Sequence, residues 1–458
     1  MQGETRWSVP PLLVMPFSSL LRALAASLIA GETTTEKIIT RLSLTLGRSW
    51  RWLRPLANRY VKAVSARTRP RQREAVQFLR HDAGLRRAWS KHGNEISIEQ
   101  WLTDPARMQP VRAAAEWNLP AIETTGALAA WLGISFSDLS WFADLKGLGY
   151  RQKSEKLRHY HYRVLPKPSG EIRLIEAPKP RLKELQRQIL SEILNRIPPH
   201  PASQGFIQGR SIKTFTAAHV GRHVVLRMDL RHFFPSFRAA RIQTLFRTMG
   251  YPEAVADLLG GIYTNCTPRE IWASYGRTDD YDCRFQARIL YCRPHLPQGA
   301  PTSPALANLC TYRADCRLAG LAKSVGAKFT RYADDLAFSG DEDFERRIER
   351  FSTHVAAILL EEGFDVHHRK RRVMRQGVRQ HLAGLLVNRH MNIMRPDFDR
   401  LKATLTNCVR LGPESQNHEA AGNFRAHLEG RLAFVEMINP AKAKRLRAIF
   451  EQILWDSL

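Results

Sequence analysis

Cysteine is scarce. Six stand in 458 residues, at positions 266, 283, 292, 310, 316 and 408, with no Cys-x-x-Cys pair among them. Spacing that wide and irregular fits reduced thiols and a cytoplasmic setting better than a disulfide framework. Only Cys292 and His295 stand close enough to suggest zinc ligands, and one such pair is too few for a structural site. Long apolar runs are also missing. The most apolar stretch, Val9 to Ala30, is broken by Pro10, Pro11, Pro16 and Arg22, which leaves neither a span of about 20 residues nor a continuous signal-peptide core. It reads instead as a helical N-terminal segment. No low-complexity tract or fixed-period repeat is present, so neither a solenoid nor default disorder is expected. Finally, acid is short: 43 Asp plus Glu stand against 70 Lys plus Arg, a net charge of +27. Such a surface attracts polyanions, and nucleic acid leads the candidate partners. Charge alone would also suit a ribosomal protein or a binder of anionic membranes.

The length corresponds to two to four compact units at roughly 100–200 residues each. From Lys37 to Lys91 there are fifteen basic residues against only Glu74 and Asp82. Trp52, Leu56, Tyr60 and Val64 recur every four residues among them, the signature of basic amphipathic helices with one buried stripe, and Pro55 suits a helix start. Uncompensated charge of that density points to RNA contact. A second patch reads as helix, turn, helix: Thr124 and Thr125, then Leu128, Trp131 and Leu132, then Gly133, then Leu139, Trp141, Phe142 and Leu145. Such a unit can be a DNA-reading element, but helix pairs joined by glycine are commonly packing units, and packing is the expected role.

The texture changes near Tyr160. Tyr162 to Leu165 and Ile172 to Ile175 flank a Pro-Ser-Gly turn and predict a hairpin. A helix follows over Arg181 to Arg196. Short strands and helices then alternate to about Met394, and Pro396 to Arg410, Asn417 to Ile438 and Ala441 to Trp455 predict a three-helix tail broken at Asn439-Pro440.

Two apolar strand-like segments carry acids: Val224-Val225-Leu226-Arg227-Met228-Asp229-Leu230 and Phe329-Thr330-Arg331-Tyr332-Ala333-Asp334-Asp335-Leu336. Strand propensity disfavours Asp, and a buried unpaired carboxylate is costly, so three of them ask for a cation. Adjacent strand side chains point to opposite faces, so Asp334 and Asp335 can serve one site only at a hairpin turn. Hard oxygen ligands suit magnesium, and nucleotidyl transfer uses two such ions about 3.5–4 Å apart. An isolated Asp-Asp pair is more often a solvated turn. Its surroundings decide the reading.

Those surroundings resemble the bacterial reverse transcriptases, in particular the retron-type enzymes, over about residues 160 to 455. The resemblance rests, in order, on Lys167 to Pro178, Met228-Asp229-Leu230-Arg231-His232-Phe233-Phe234-Pro235-Ser236, Leu296-Pro297-Gln298-Gly299-Ala300-Pro301-Thr302-Ser303-Pro304, Tyr332-Ala333-Asp334-Asp335, the Lys370 region and Leu385-Leu386-Val387-Asn388. It implies an α+β right-hand polymerase: a helical basic extension over 1–150, fingers and palm over 151–394 and a helical thumb over 395–458. It implies RNA-directed DNA synthesis with two Mg2+ per site, held by Asp229, Asp334, Asp335 and the Leu230 carbonyl. By resemblance, Lys167 and Arg173 hold the triphosphate, Phe234 is the steric gate against a 2′-hydroxyl, and Gln298 and Gly299 form the nucleotide-contacting turn. Lys370 assists the pyrophosphate. The implied partners are an RNA template, an RNA-DNA duplex, deoxynucleoside triphosphates and a retron effector protein, with no membrane, and the implied product is a branched RNA-DNA in antiviral defence. The chain departs from the family pattern at Phe215-Thr216-Ala217-Ala218-His219, where only the histidine of Asn-Ala-x-x-His survives, and at Leu382-Ala383-Gly384 in place of Val-Thr-Gly. A non-retron bacterial reverse transcriptase, defence-associated or intron-related, and a catalytically idle RNA-binding scaffold are the alternatives.

Overall fold

The stripe of Leu56, Tyr60 and Val64 is buried on one helix, as its spacing requires, with Trp52 packed half-buried beside it. The computed structural model describes residues 15–64, 71–102, 108, 110–151, 154–166, 172–274, 281–418 and 422–455. The chain forms two compact units, Met1–Gln109 and Pro110–Leu458. No helix among the described residues is long and apolar enough to cross a membrane.

The first unit is helical: α1 (Phe17–Ile29), α2 (Thr35–Thr45), α3 (Leu53–Val64), α4 (Gln72–His81) and α5 (Ala83–His92). Its core is a single cluster in which Leu20, Leu24 and Leu28 of α1 meet Ile38, Leu42, Leu56, Leu79 and Leu85. Asp82 joins α4 to α5 and caps the second, accepting from Leu85 N at 2.7 Å, the role an acid fills at a helix N-terminus.

The second unit opens with the helix pair, α6 (Thr125–Leu132) and α7 (Phe136–Ala143), joined through Gly133 in the left-handed region at φ +65°. Both pack on α12 (Glu253–Tyr263), and Gly261 is there because a Cβ would stand 2.1 Å from the Ala143 carbonyl oxygen. Strands β1 (Tyr160–Pro166) and β2 (Ile172–Pro178) form the expected hairpin, pairing from Tyr160↔Pro178 to Pro166↔Ile172. The helix expected to reach Arg196 ends earlier, as α8 (Pro180–Glu192), and a 3-10 turn over Leu194–Arg196 completes the stretch.

The central sheet is antiparallel, in the order β4 (Lys328–Tyr332), β5 (Asp335–Gly340), β3 (Val224–Arg231), β6 (Asp365–Val366), with β7 (Arg372–Arg375) pairing the first half of β3. Around it run α9 (Ile212–Ala217), α10 (Phe233–Ser236), α11 (Ala239–Thr248), α13 (Arg269–Ser274), α14 (Tyr281–Tyr291), α15 (Ser303–Ser324) and α16 (Glu342–Glu361). Helix α15 packs on β4 and α16 on β3 and β5, so β3 is buried almost throughout. A small sheet of β8 (His381–Leu382), β9 (Leu385–Leu386) and β10 (Asn392–Ile393) leads to the tail helices α17 (Arg395–Leu411), α18 (Phe424–Ile438) and α19 (Pro440–Phe450). The second tail helix starts later than Asn417, at a cap where Asn423 accepts from Ala426 N, and the third stops at Phe450, short of Trp455. Leu385 and Ile393 share one core with Leu405, Leu432 and Leu446 of these helices.

One buried ion pair ties the sheet to α15. Arg331 and Asp315 are both fully buried and meet twice, Nε to Oδ1 and Nη2 to Oδ2 at 2.7 Å each. The remaining guanidinium hydrogens go to Asn308 Oδ1 at 3.1 Å, Ser203 Oγ at 3.2 Å and the Ala333 carbonyl at 3.1 Å. All five donors are thereby used, the condition for burying a guanidinium. Asp315→Ala strands that charge, and urea unfolding should show a loss of about 3–5 kcal/mol. A loss below about 1 kcal/mol, the scale of exposed pairs, would contradict the arrangement.

Candidate active site

Strands β4 and β5 close a hairpin with Ala333 and Asp334 as its two turn residues, Tyr332 pairing with Asp335. Asp334 therefore leaves the strand while Asp335 begins the next one, which is how adjacent aspartates escape opposite faces. Asp335 sits directly across from Asp229 on β3, and Leu230 N donates to the Asp334 carbonyl at 2.9 Å. Ala333 takes φ +53°, a conformation that favours glycine, so the turn needs outside support. Arg331 supplies part of it by holding the Ala333 carbonyl. The segment Ala202 to Gly205 supplies the rest: Gln204 N donates to Arg331 O at 2.7 Å, Arg331 N donates to Ala202 O at 2.8 Å, and Asn308 Nδ2 donates to Gly205 O at 2.9 Å. A Cβ on Gly205 would stand 2.9 Å from Ala333 N, so only glycine lets the chain lie under the turn.

Electrostatics at this strand end follow from crowding. Burial first, then the charges of Asp229 and Asp335, push the Asp334 carboxyl up to about 6. Burial also raises Asp335, opposed by Arg227. Arg227 donates to Asp335 Oδ1 from Nη2 at 2.6 Å and from Nε at 3.0 Å, and Lys370 Nζ donates to Asp229 Oδ1 at 3.0 Å. Three carboxylates thus share two cations. Among the described residues no group of three or more His, Cys, Asp or Glu side chains is drawn together tightly enough to hold a metal ion, and the oxygens of Asp229 and Asp335 are turned onto Lys370 and Arg227 instead. The donor set, all carboxylate oxygen, has the chemistry a hard divalent cation requires.

The other expected residues fall into two sets. Phe233 is core, 5% exposed and edge-on to Phe237, whereas Phe234 is only half-buried. The Phe234 ring lies 6.4 Å from that of Phe206, which in turn lies 6.0 Å from Tyr332. In the second set, Glu176 N donates to Gln298 O at 2.8 Å, and Gly299, at φ +130°, passes so close to β2 that a Cβ would meet Glu176 O at 3.0 Å. Arg173 stands exposed on the same strand. The buried Glu176 carboxylate is fixed by Asn265 Nδ2, Thr267 Oγ1 and His295 Nε2, each at 2.8 Å, which is where His295 spends its ring. Among the described residues neither Arg173 nor the Gln298 side chain hydrogen-bonds to the three aspartates. Lys167 lies outside the described residues.

Arg227, Phe206 and the Gly205 bed were missed in the sequence. Arg227 was findable: two residues before Asp229 on one strand, it must share its face. Phe206 and Gly205 approach through tertiary contacts that carry no local signal.

His219 anchors the hairpin from behind. Fully buried, it bonds Ser339 Oγ through Nδ1 at 2.7 Å and Thr330 Oγ1 through Nε2 at 2.8 Å. Thr330 Oγ1 donates onward to Phe215 O at 2.9 Å, so Nε2 carries the proton and donates. Burial lowers this histidine from 6.5 to about 3. Because the folded value lies below the unfolded one, its contribution is complete above about pH 6.5 and is lost as pH falls toward 3. Stability by urea unfolding should decline over that window by up to about 1.4 kcal/mol per pH unit, and His219→Gln should flatten the decline. An equal slope in the variant would contradict the buried neutral ring. Gly205→Ala should displace the Ala333-Asp334 turn and cut primer extension on an RNA template on the order of a hundredfold, the scale of small misplacements at a reacting centre. Full activity would show that the turn does not rest on this bed.

The chain resembles known proteins over most of its length. The family described as reverse transcriptase (RNA-dependent DNA polymerase) matches residues 165–397. The retron Mx65 reverse transcriptase of Myxococcus xanthus is 41% identical over 336 residues, 72% of this chain and 72% of that protein. The retron Mx162 reverse transcriptase of the same organism is 36% identical over 374 residues, 78% of this chain and 72% of that protein. The retron Ec86 reverse transcriptase of Escherichia coli is 28% identical over 280 residues, 61% of this chain and 76% of that protein. With carboxylates crowded at a strand end in an α+β fold, and with matches of this extent, the chain belongs to the retron-type reverse transcriptases, the RNA-directed DNA polymerases.

Proposed function

We propose that this polymerase copies a structured RNA into DNA by two-metal nucleotidyl transfer at Asp229, Asp334 and Asp335. The observation that carries the reading is geometric: strand pairing sets Asp229 directly across from Asp335, and the β4–β5 turn brings Asp334 to the same strand end. Acids brought so close repel one another, burial raises Asp334 above the usual carboxylate range, and a divalent cation relieves both. Magnesium held by the three aspartates and the Leu230 carbonyl would activate the primer 3′-hydroxyl and steady the departing pyrophosphate. Arg227 and Lys370 neutralise Asp335 and Asp229 beforehand. Lys370, released from Asp229, would then face the pyrophosphate as a mobile point charge.

The half-buried Phe234 ring is the gate beneath the incoming sugar, with Phe206 backing it. Gln298 and Gly299, pinned to β2 through Glu176, contact the nucleotide beside Arg173, and Lys167 joins Arg173 on the triphosphate. In this reading residues 151–394 act as fingers and palm, and the tail helices act as a thumb on the duplex. A branched RNA-DNA product, a defence setting and an effector partner are what the family resemblance implies for it.

Primer extension on an RNA template tests the site. Asp334→Asn combined with Asp335→Asn should reduce it on the order of a thousandfold, as loss of preorganised charge stabilisation does. Extension at the wild-type rate would sink the assignment. Phe234→Ala should keep deoxynucleotide extension and admit ribonucleotides, and continued exclusion of ribonucleotides would move the gate elsewhere.

A further inference from the structure

Helix α1 has a single ionisable residue, Arg22, and its surroundings give that charge a use. Arg22 is exposed and faces a groove of about 740 Å³ between α1 and α4. Across the groove stand Arg73, Gln77 and Arg80, at spacings of four and three that put them on one face of α4, with His81 at its edge. Leu21 and Val76 contribute an apolar floor, and no carboxylate lines it.

Two arginines of this unit meet acids: Arg59 meets Asp82 at 2.7 Å and Arg48 meets Glu95 at 3.0 Å. Arg73 and Arg80 are different. Both are exposed, and among the described residues neither is paired with an acid. Arg22 bonds only the Ser18 carbonyl, at 3.4 Å. Three guanidinium groups opening on one groove repel each other in the free protein, and a row of anionic groups removes that repulsion. Arg73 and Arg80 stand two helical turns apart, about 10 Å along the axis, a span suited to successive phosphates rather than to one small anion. Planar guanidinium forks match phosphate oxygens, and the Gln72 and Gln77 amides can reach sugar hydroxyls and phosphates beside them.

We propose that the α1/α4 groove binds the sugar-phosphate backbone of RNA, giving the N-terminal unit a nucleic-acid contact additional to the active site. The inference rests on the reading of the chain as an enzyme that copies RNA. It predicts a contact that reads charge and not sequence.

The test uses the full-length protein and a fluorescently labelled RNA hairpin, with anisotropy followed over a salt series. Arg22→Ala, Arg73→Ala and Arg80→Ala combined should weaken binding and make the slope of log K against log salt shallower by about 2–3, at roughly 0.7–0.9 per lost phosphate contact. The same three positions changed to Lys should keep most of the slope, since phosphate neutralisation needs only the charge. An unchanged thermal melt of the alanine variant shows that a loss is not unfolding, and its extension of a short oligonucleotide template should equal wild type. Wild-type affinity and slope in the alanine variant would overturn the proposal. So would loss of slope in the lysine variant, or loss of binding to phosphatidylserine vesicles with RNA binding intact. If the wild-type protein extends no primer yet the alanine variant still loses salt slope, the copying reading fails while the groove stands.

Discussion

Three carboxylates crowd one end of an apolar sheet, and their mutual repulsion is the constraint to which the surrounding structure answers. Cross-strand pairing sets Asp229 against Asp335, and the hairpin turn brings Asp334 to the same end. Left alone, such a cluster would open the sheet or stay fully protonated. Arg227 and Lys370 each take one acid, and the third keeps a raised affinity for its proton. In the proposed reading, a divalent cation would take over the neutralising role that Arg227 and Lys370 fill here.

Holding the turn is the second demand. Ala333 is strained, and its carbonyl is secured by an arginine whose every hydrogen is used. Because Arg331 belongs to β4 and Asp315 to α15, the hairpin cannot shift without breaking the core. Gly205 fills the space below, and His219 holds Thr330 and Ser339 on the neighbouring strands. Stability and site geometry are here the same set of contacts.

Much of this was legible in the sequence because it is written in local periodicity. Acids inside apolar strand runs, an Asp-Asp pair that demanded a turn, and the leucine spacing of the basic helices all follow from side-chain direction alone. Helix ends were less legible: α8 stops at Glu192 and α18 begins at Phe424, since caps such as Asn423 compete with equally plausible neighbours. Gly205 under Ala333, Phe206 beside Phe234 and His295 on Glu176 were not legible, because each joins segments far apart in the chain. The altered Phe215 to His219 stretch keeps His219, whose ring bonds Thr330 and Ser339, and still meets the hairpin through the Phe215 carbonyl.

The central claim is that these three acids form one cation site whose occupation displaces the Asp334 proton. Manganese titration followed by electron paramagnetic resonance, with proton release measured in the same samples at about pH 6, tests it most directly. The account predicts divalent binding with proton release in the wild-type chain, and loss of that release together with weakened binding in Asp334→Asn. Manganese affinity and proton release unchanged by that substitution would contradict it.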